Sequence, residues 1–199
     1  METLHTETIG DVIIQIVQDL EPENPRDWDN FGTMVCWHQK YTLGDKQKKG
    51  ITVKETEELL MDGGHIYLPL YLFDHSGLCM RTTPFSCPWD SGQVGWIYAS
   101  KETAINEFGD PESDGEKLVI SPEVMVLAVA RLKKEVETYS AFLQGQVYGY
   151  HAIRKVKCPT CGYERKDSLS SCYGYYDYNA CLADAKISAK ENTNVRETA

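Results

Sequence analysis

The sequence predicts an α+β fold, with antiparallel strands and helices in separate blocks of one chain. Three observations carry this reading. Short β-branched or aromatic runs, separated by turn residues, fill much of the first hundred positions. Apolar residues at 125, 128, 132, 136, 139 and 143 recur at spacings of three and four, the signature of one buried face of a long helix. Two further strand-like runs, 147–157 and 163–175, flank a Cys-Pro-Thr-Cys-Gly turn. The expected architecture is an antiparallel meander sheet packed by the long helix, followed by a C-terminal β-hairpin and a short helix. With 42% hydrophobic and 25% charged residues over 199 positions, the composition is that of a soluble globular chain, not a disordered, collagen-like or coiled-coil one. The length suits a single domain over 1–199.

In chain order, residues 12–17 read as a strand that stops at the breaker-rich Glu21-Pro22-Glu23-Asn24-Pro25. Residues 32–39 predict a second strand, followed by a polar, Lys-rich loop at 44–50. Thr52-Val53-Lys54-Glu55 has capping-box spacing and predicts a short helix to about Asp62, before Gly63-Gly64. Residues 66–73 form a strand in which Pro69, lacking an N–H, marks an edge or a distortion. Turn 74–77, strand 78–83, loop 84–93 and strand 94–99 complete the meander. In that topology successive turns lie at opposite ends of the sheet, about 20 Å apart. A short helix at 101–108 leads into a solvated acidic loop at 109–116. Ser121 caps the long helix, Pro122 suits its first position and Gly145 follows its end. Asp177 caps a last helix to about Ala189, and 190–199 is expected to be a frayed tail.

The formal charge of −10 is uneven along the chain. Residues 1–120 hold nine bases against 21 acids, and residues 121–199 hold 11 bases against nine acids. The chain thus reads as an acidic part, 1–118, joined to a near-neutral part, 119–189. The charge speaks against direct nucleic-acid binding through a basic surface and leaves open mimicry of nucleic acid by an acidic one. The polar, acidic N-terminus lacks a secretory signal, and the longest apolar run, 124–130, falls well short of the roughly 20 residues of a membrane helix. Seven cysteines, an odd number, read as reduced thiols. A cytoplasmic protein with no membrane partner is expected.

Several residues carry chemistry. Cys158 and Cys161 supply half of a tetrahedral zinc site, to be completed by Cys172 and Cys181 or by another chain. Regular pairing of the hairpin would leave Cys172 about 30 Å from the tip, so zinc stands as an alternative to no cofactor. Cys36 and His38 share one face of a strand, and Cys87 lies near Asp90 and Gln93. A nucleophilic set of Cys87, His38 as base, Asp90 as orienting group and Gln93 as oxyanion donor follows. His75 is a poorer base because the meander separates its turn from the Cys87 loop. The plainer readings are a hairpin turn for 74–77, a buried apolar thiol for Cys36 and an ordered loop stapled by Trp89 for the Cys87 segment. Lys155, Lys157, Arg165 and Lys166 read as a solvated face, and about half of the 12 tyrosines as packing residues. Phosphate-binding glycine loops, nucleophile elbows and His-Glu-x-x-His helices are missing from the sequence.

Three strings, Asn24-Pro25-Arg26-Asp27-Trp28-Asp29-Asn30-Phe31-Gly32-Thr33-Met34-Val35-Cys36-Trp37-His38, Leu68-Pro69-Leu70-Tyr71-Leu72-Phe73-Asp74-His75-Ser76-Gly77 and Phe85-Ser86-Cys87-Pro88-Trp89-Asp90-Ser91-Gly92-Gln93-Val94-Gly95, are specific in length. Together they resemble a family of uncharacterised proteins encoded by bacteriophages and other mobile elements. The resemblance covers positions 24–100, and more weakly 135–149 and 171–174. The chain departs from the family pattern at 158–162, where the family carries a simpler acidic turn, so the resemblance speaks against zinc as central to a shared function. It implies an accessory protein in the host cytoplasm that binds a host factor, such as a defence component, and modulates it. The expected contacts are Trp28, Asp29, Asn30, Asp74, His75, Trp89, Asp90 and Ser91. The alternatives are a Cys-dependent hydrolase or transferase and a sponge that sequesters a nucleotide signal.

Overall fold

The computed structural model describes residues 3–45, 52–109 and 119–194 and has the α+β class expected. In chain order the elements are β1 (Thr3–Ile9), β2 (Val12–Gln18), a 3-10 turn (Pro25–Asp27), β3 (Thr33–Cys36), α1 (Val53–Met61), β4 (His65–Asp74), β5 (Leu78–Arg81), β6 (Ser91–Ser100) and α2 (Lys101–Phe108). They continue with α3 (Pro122–Leu143), β7 (Tyr148–Lys157), β8 (Glu164–Tyr175) and α4 (Tyr178–Asn194). The acidic loop expected beyond Gly109 lies outside the described residues, as do 46–50 of the Lys-rich loop.

Two compact units are present: 1–23 with 145–199, and 24–144. Neither follows the acidic and neutral parts read along the chain. Unit 24–144 holds 12 bases and 18 acids, and the other unit holds eight and 12, so net charges of −6 and −4 replace −12 and +2.

The unit containing both termini is an antiparallel sheet of order β1-β2-β7-β8 covered by α4. Val12, Ile14 and Ile16 point to one face, as a period of two demands, and meet Cys181, Ala185 and Ala189, which recur every four residues on α4. Small side chains on the helix allow this close approach. Asp177 Oδ1 accepts from the Ala180 amide at 2.7 Å, capping α4 as expected. Because Ala189 is fully buried, the helix is held to its end, and Lys190–Asn194 are helical where a frayed tail was expected. Strand β1 was not foreseen: Thr-Leu-His-Thr-Glu-Thr-Ile is an edge strand with no buried residue and so carries no apolar alternation. Gly10, at φ +63°, turns it tightly into β2.

Unit 24–144 is an antiparallel sheet of order β3-β6-β4-β5 packed by α3. Val124, Ala128, Leu132, Val136 and Tyr139 form the buried stripe of α3, with Ser121 capping and Gly145 left-handed beyond the end. Ser140, also buried, accepts from the Met80 amide at 2.9 Å and ties α3 to β5. The capping box of α1 is present in both directions. The strand order departs from a simple meander. β6 pairs with β4 over its whole length, from Ser100 opposite His65 to Ser91 opposite Phe73, while β5 covers only Tyr71–Asp74. Pro69 sits upstream of the β5 pairing, and the register shifts between Leu70 and Tyr71, so edge and distortion both fall near it. To reach β6 the chain recrosses through 82–90, which brings that loop to the same end of the sheet as turn 74–77.

One buried cation organises this unit. The Arg26 side chain is only 2% exposed. Its Nε and Nη2 donate to Asp45 at 2.6 and 3.1 Å, Nη1 to Glu135 at 2.9 Å and Nη2 to the Gly32 carbonyl at 2.6 Å. Glu135 also accepts from the amides of Phe31 at 2.8 Å and Gly32 at 3.2 Å, and Asp45 from that of Met34 at 2.9 Å. Burial works against the guanidinium charge, but the bonds to Asp45 and Glu135 outweigh it and raise the Arg26 pKa. Gly32 is closely packed here: a Cβ would come within 2.4 Å of Leu132 Cδ2 on α3, so a larger residue would displace a buried side chain.

Removing one partner of such a pair strands a buried charge at a cost of about 3–5 kcal/mol. Glu135→Ala should therefore lose at least about 3 kcal/mol in urea unfolding, whereas Glu137→Ala, an exposed carboxylate on the same helix, should change stability by less than about 0.5 kcal/mol.

Candidate functional site

The recrossing loop builds the site. Phe85 stacks on Phe73 with centroids 5.4 Å apart, and the Arg81 guanidinium lies 3.7 Å over the Phe85 ring. Arg81 Nε donates to the Thr83 carbonyl at 2.9 Å and its Nη2 to the Pro84 carbonyl. At the other end of the loop, Ser91 Oγ donates to the Cys87 carbonyl and the Asp74 amide donates to the Asp90 carbonyl at 2.8 Å. The staple is Phe85, not Trp89, which is 91% exposed. Beyond β3 the Trp37 amide donates to the Val94 carbonyl at 2.7 Å, holding 37–40 alongside. Between these segments lies an open cleft of about 480 Å³ lined by Trp37, His38, Lys40, Asp74, Trp89 and Gln93, among others.

The proposed nucleophilic set is placed differently from expectation. Cys87 Sγ donates to Asp90 Oδ2 at 3.6 Å, and the imidazole beside that oxygen is His75, with Nδ1 at 3.4 Å. The roughly 20 Å separation expected for the two loops is thus replaced by contact, because β6 pairs with β4 and not with β5. His38 lines the cleft together with Asp90, but its Nδ1 accepts from the Lys40 amide at 3.3 Å and its ring stacks on Tyr41 at 5.0 Å. Gln93 Nε2 is directed to the Gly95 carbonyl at 3.5 Å. A thiol nucleophile needs the imidazole between thiol and carboxylate. Here the carboxylate stands between the other two, and Cys87 does not line the cleft.

Cys36 ends β3 in the hydrophobic core, where burial, aided by the Asp45 charge, pushes its thiol up to about 12. Asp74 accepts from Tyr41 Oη at 3.3 Å and pairs with Lys40 at 3.5 Å. In the other predicted contact loop Asn30 is structural: its Nδ2 donates to the carbonyls of Pro25 and Trp28, both at 2.9 Å. Trp28, Asp29 and Asn30 line a separate hollow of about 160 Å³ against Arg131 and Lys134.

At the hairpin tip the amides of Cys161 and Thr160 hold the Cys158 thiol below its usual range. Cys172 and Cys181 do not join it. Cys172 pairs with Tyr150, far along the ladder from the Lys157–Glu164 pair, and Cys181 is fully buried under β2, with burial pushing its thiol up to about 12. Among the described residues no group of three or more His, Cys, Asp and Glu side chains is gathered to hold a metal ion, and no helix is long and apolar enough to cross a membrane.

Sequence reasoning missed the Arg26 network, whose members lie as far apart along the chain as Arg26, Asp45 and Glu135. It also missed the His75–Asp90 contact, which depends on strand order. In comparisons with known proteins, no family model, curated protein or solved structure matches this chain.

The two buried thiols give a pH signature. Each has a folded pKa near 12 against an ordinary value of 9.0, so the neutral thiol is favoured by folding. That stabilisation is complete below pH 9 and is lost as pH rises towards 12. The melting temperature should therefore decline over that interval. At pH 8 a disulfide reagent should leave Cys36 and Cys181 untouched until denaturant is added, and then gain two equivalents per chain.

Proposed function

We propose that the chain is a binding protein that engages a partner protein through Trp89 and the rim of the adjoining cleft. A single observation carries this reading: a tryptophan 91% exposed at the crest of a loop pinned at both ends. Tryptophan supplies large, rigid contact area and is the residue most enriched among binding hot spots. A loop already fixed by Phe85, Arg81 and the Asp74–Asp90 bond loses little entropy on association, so more of the contact energy appears as affinity. Trp37, Lys40 and Gln93 beside it offer an apolar wall and polar contacts. The net charge of −6 on unit 24–144 favours a basic partner surface and salt-sensitive association. The resemblance to mobile-element proteins makes a host factor, including a defence component, the expected partner.

Two competing readings receive less support. A cysteine enzyme would need His38 or His75 between Cys87 and Asp90. A nucleotide sponge would have to place phosphates in a cleft that also presents the carboxylates of Asp74 and Asp90.

Affinity capture from lysate of a bacterial host, with wild-type and Trp89→Ala as parallel baits, tests the proposal. Loss of a tryptophan hot spot is worth about 2–4 kcal/mol, or roughly 30- to 1,000-fold in Kd. The partner should be retained by wild-type and by Cys87→Ala and lost with Trp89→Ala. Equal retention by Trp89→Ala would refute the proposal, and loss with Cys87→Ala but not Trp89→Ala would favour the enzyme.

A further inference from the structure

The hairpin of β7 and β8 outruns its own sheet. β2 pairs with β7 only as far as Arg154, opposite Val12, whereas β7 and β8 continue pairing to Lys157 and Glu164. Three residue pairs and the turn thus stand out as a two-stranded arm, about 10 Å long before the turn. Such a ribbon buries little and is only marginally stable by itself. Its end is well ordered by the chain nonetheless. The Cys158 amide donates to the Tyr163 carbonyl at 2.8 Å, the Gly162 amide to the Cys158 carbonyl at 2.9 Å, and Gly162 takes φ +73°. Cys158 and Cys161 therefore lie three residues apart within one tight, hydrogen-bonded turn, the spacing at which two cysteines share a metal ion.

Two thiolates are half of a tetrahedral zinc sphere. The other half is not supplied by the described residues, since no third His, Cys, Asp or Glu side chain gathers at the tip. Nothing of the arm covers the sulfurs either: Pro159, Thr160, Cys161 and Gly162 are exposed, and Tyr163 is 69% exposed. Structural zinc sites complete such a pair with Cys or His, and the two missing ligands must reach a projecting tip. A second copy of the same tip brings two more cysteines there. Charge supports this pairing. Four thiolates around one divalent cation carry −2, which opposes assembly unless it is offset. Each arm brings Lys155, Lys157, Arg165 and Lys166 against Glu164 and Asp167, a surplus of two positive charges per copy. Over two copies that surplus is +4, so the basic cluster, otherwise a plain solvated face, more than offsets the −2 of the site.

We propose that the hairpin tips of two copies meet around one zinc ion held by Cys158 and Cys161 of each, making the protein a metal-linked homodimer. This site is separate from the Trp89 cleft and does not depend on it.

The test uses the full chain, reduced and stripped of metal, titrated with cobalt(II) or zinc(II) while its mass is followed by light scattering. Binding should saturate at half an equivalent per chain, cobalt should give the spectrum of a tetrahedral tetrathiolate, and the mass should double in the same titration and revert with chelator. Cys158→Ser and Cys161→Ser should each abolish the tetrathiolate spectrum and the metal-dependent doubling, while Cys172→Ser retains both. Circular dichroism checks that the serine variants remain folded. One equivalent per chain on a monomer would overturn the proposal. So would a dimer that persists in chelator, or absence of binding, including the case in which Cys158 and Cys161 close into a disulfide and two free thiols disappear without a change in mass.

Discussion

The contact on which unit 24–144 depends is the buried guanidinium of Arg26. A charge removed from water must be met on all sides, and here the groups that meet it come from three stretches of chain: the Gly32 carbonyl before β3, Asp45 after β3 and Glu135 on α3. The two carboxylates then use their remaining oxygen capacity on the backbone amides of Phe31, Gly32 and Met34. No member can be removed without leaving another buried and unsatisfied. The network therefore fixes the entry of β3 relative to α3 with a specificity that apolar packing, which is non-directional, would not provide.

From that fixed strand the functional geometry follows by topology. β3 pairs with β6, β6 with β4, and the short β5 leaves the chain too little strand to travel away before it recrosses. The loop 82–90 must then fold back over the end of β4, where Phe85 stacks on Phe73 and the Trp89 side chain is left outside. The same recrossing joins His75 to Asp90. An arrangement with the carboxylate in the middle suits fastening of two loops better than it suits nucleophilic catalysis.

What the sequence revealed and what it concealed divide along local and non-local lines. The long helix, its cap and its stripe, the capping box of α1 and the hairpin about Cys158 are set by neighbours three or four residues away or by turn chemistry, and these were legible. Strand β1 was not, because an edge strand buries no side chain and writes no alternation. Nor was the order of β4, β5 and β6, which is decided by which strands meet in space. Reading charge along the chain also misled: the contrast between an acidic and a neutral half vanishes when the termini come together in one unit. At the site, Trp89 is exposed where the plainer reading made it a staple, and His38 is engaged with the Lys40 amide and the Tyr41 ring where a base for Cys87 was expected. Asn30, expected as a contact, also fastens its own loop through the carbonyls of Pro25 and Trp28.

The most direct test of this account is a double-mutant cycle in unfolding free energy for Arg26→Met and Glu135→Leu. If the buried charge is the organising constraint, each single change is severe and the double change recovers part of the loss. The coupling should then reach about 2–3 kcal/mol, at the upper end of what contacting residues show. Additivity within about 0.5 kcal/mol would contradict the account, because it would mean that the helix and the strand are held together by apolar packing alone.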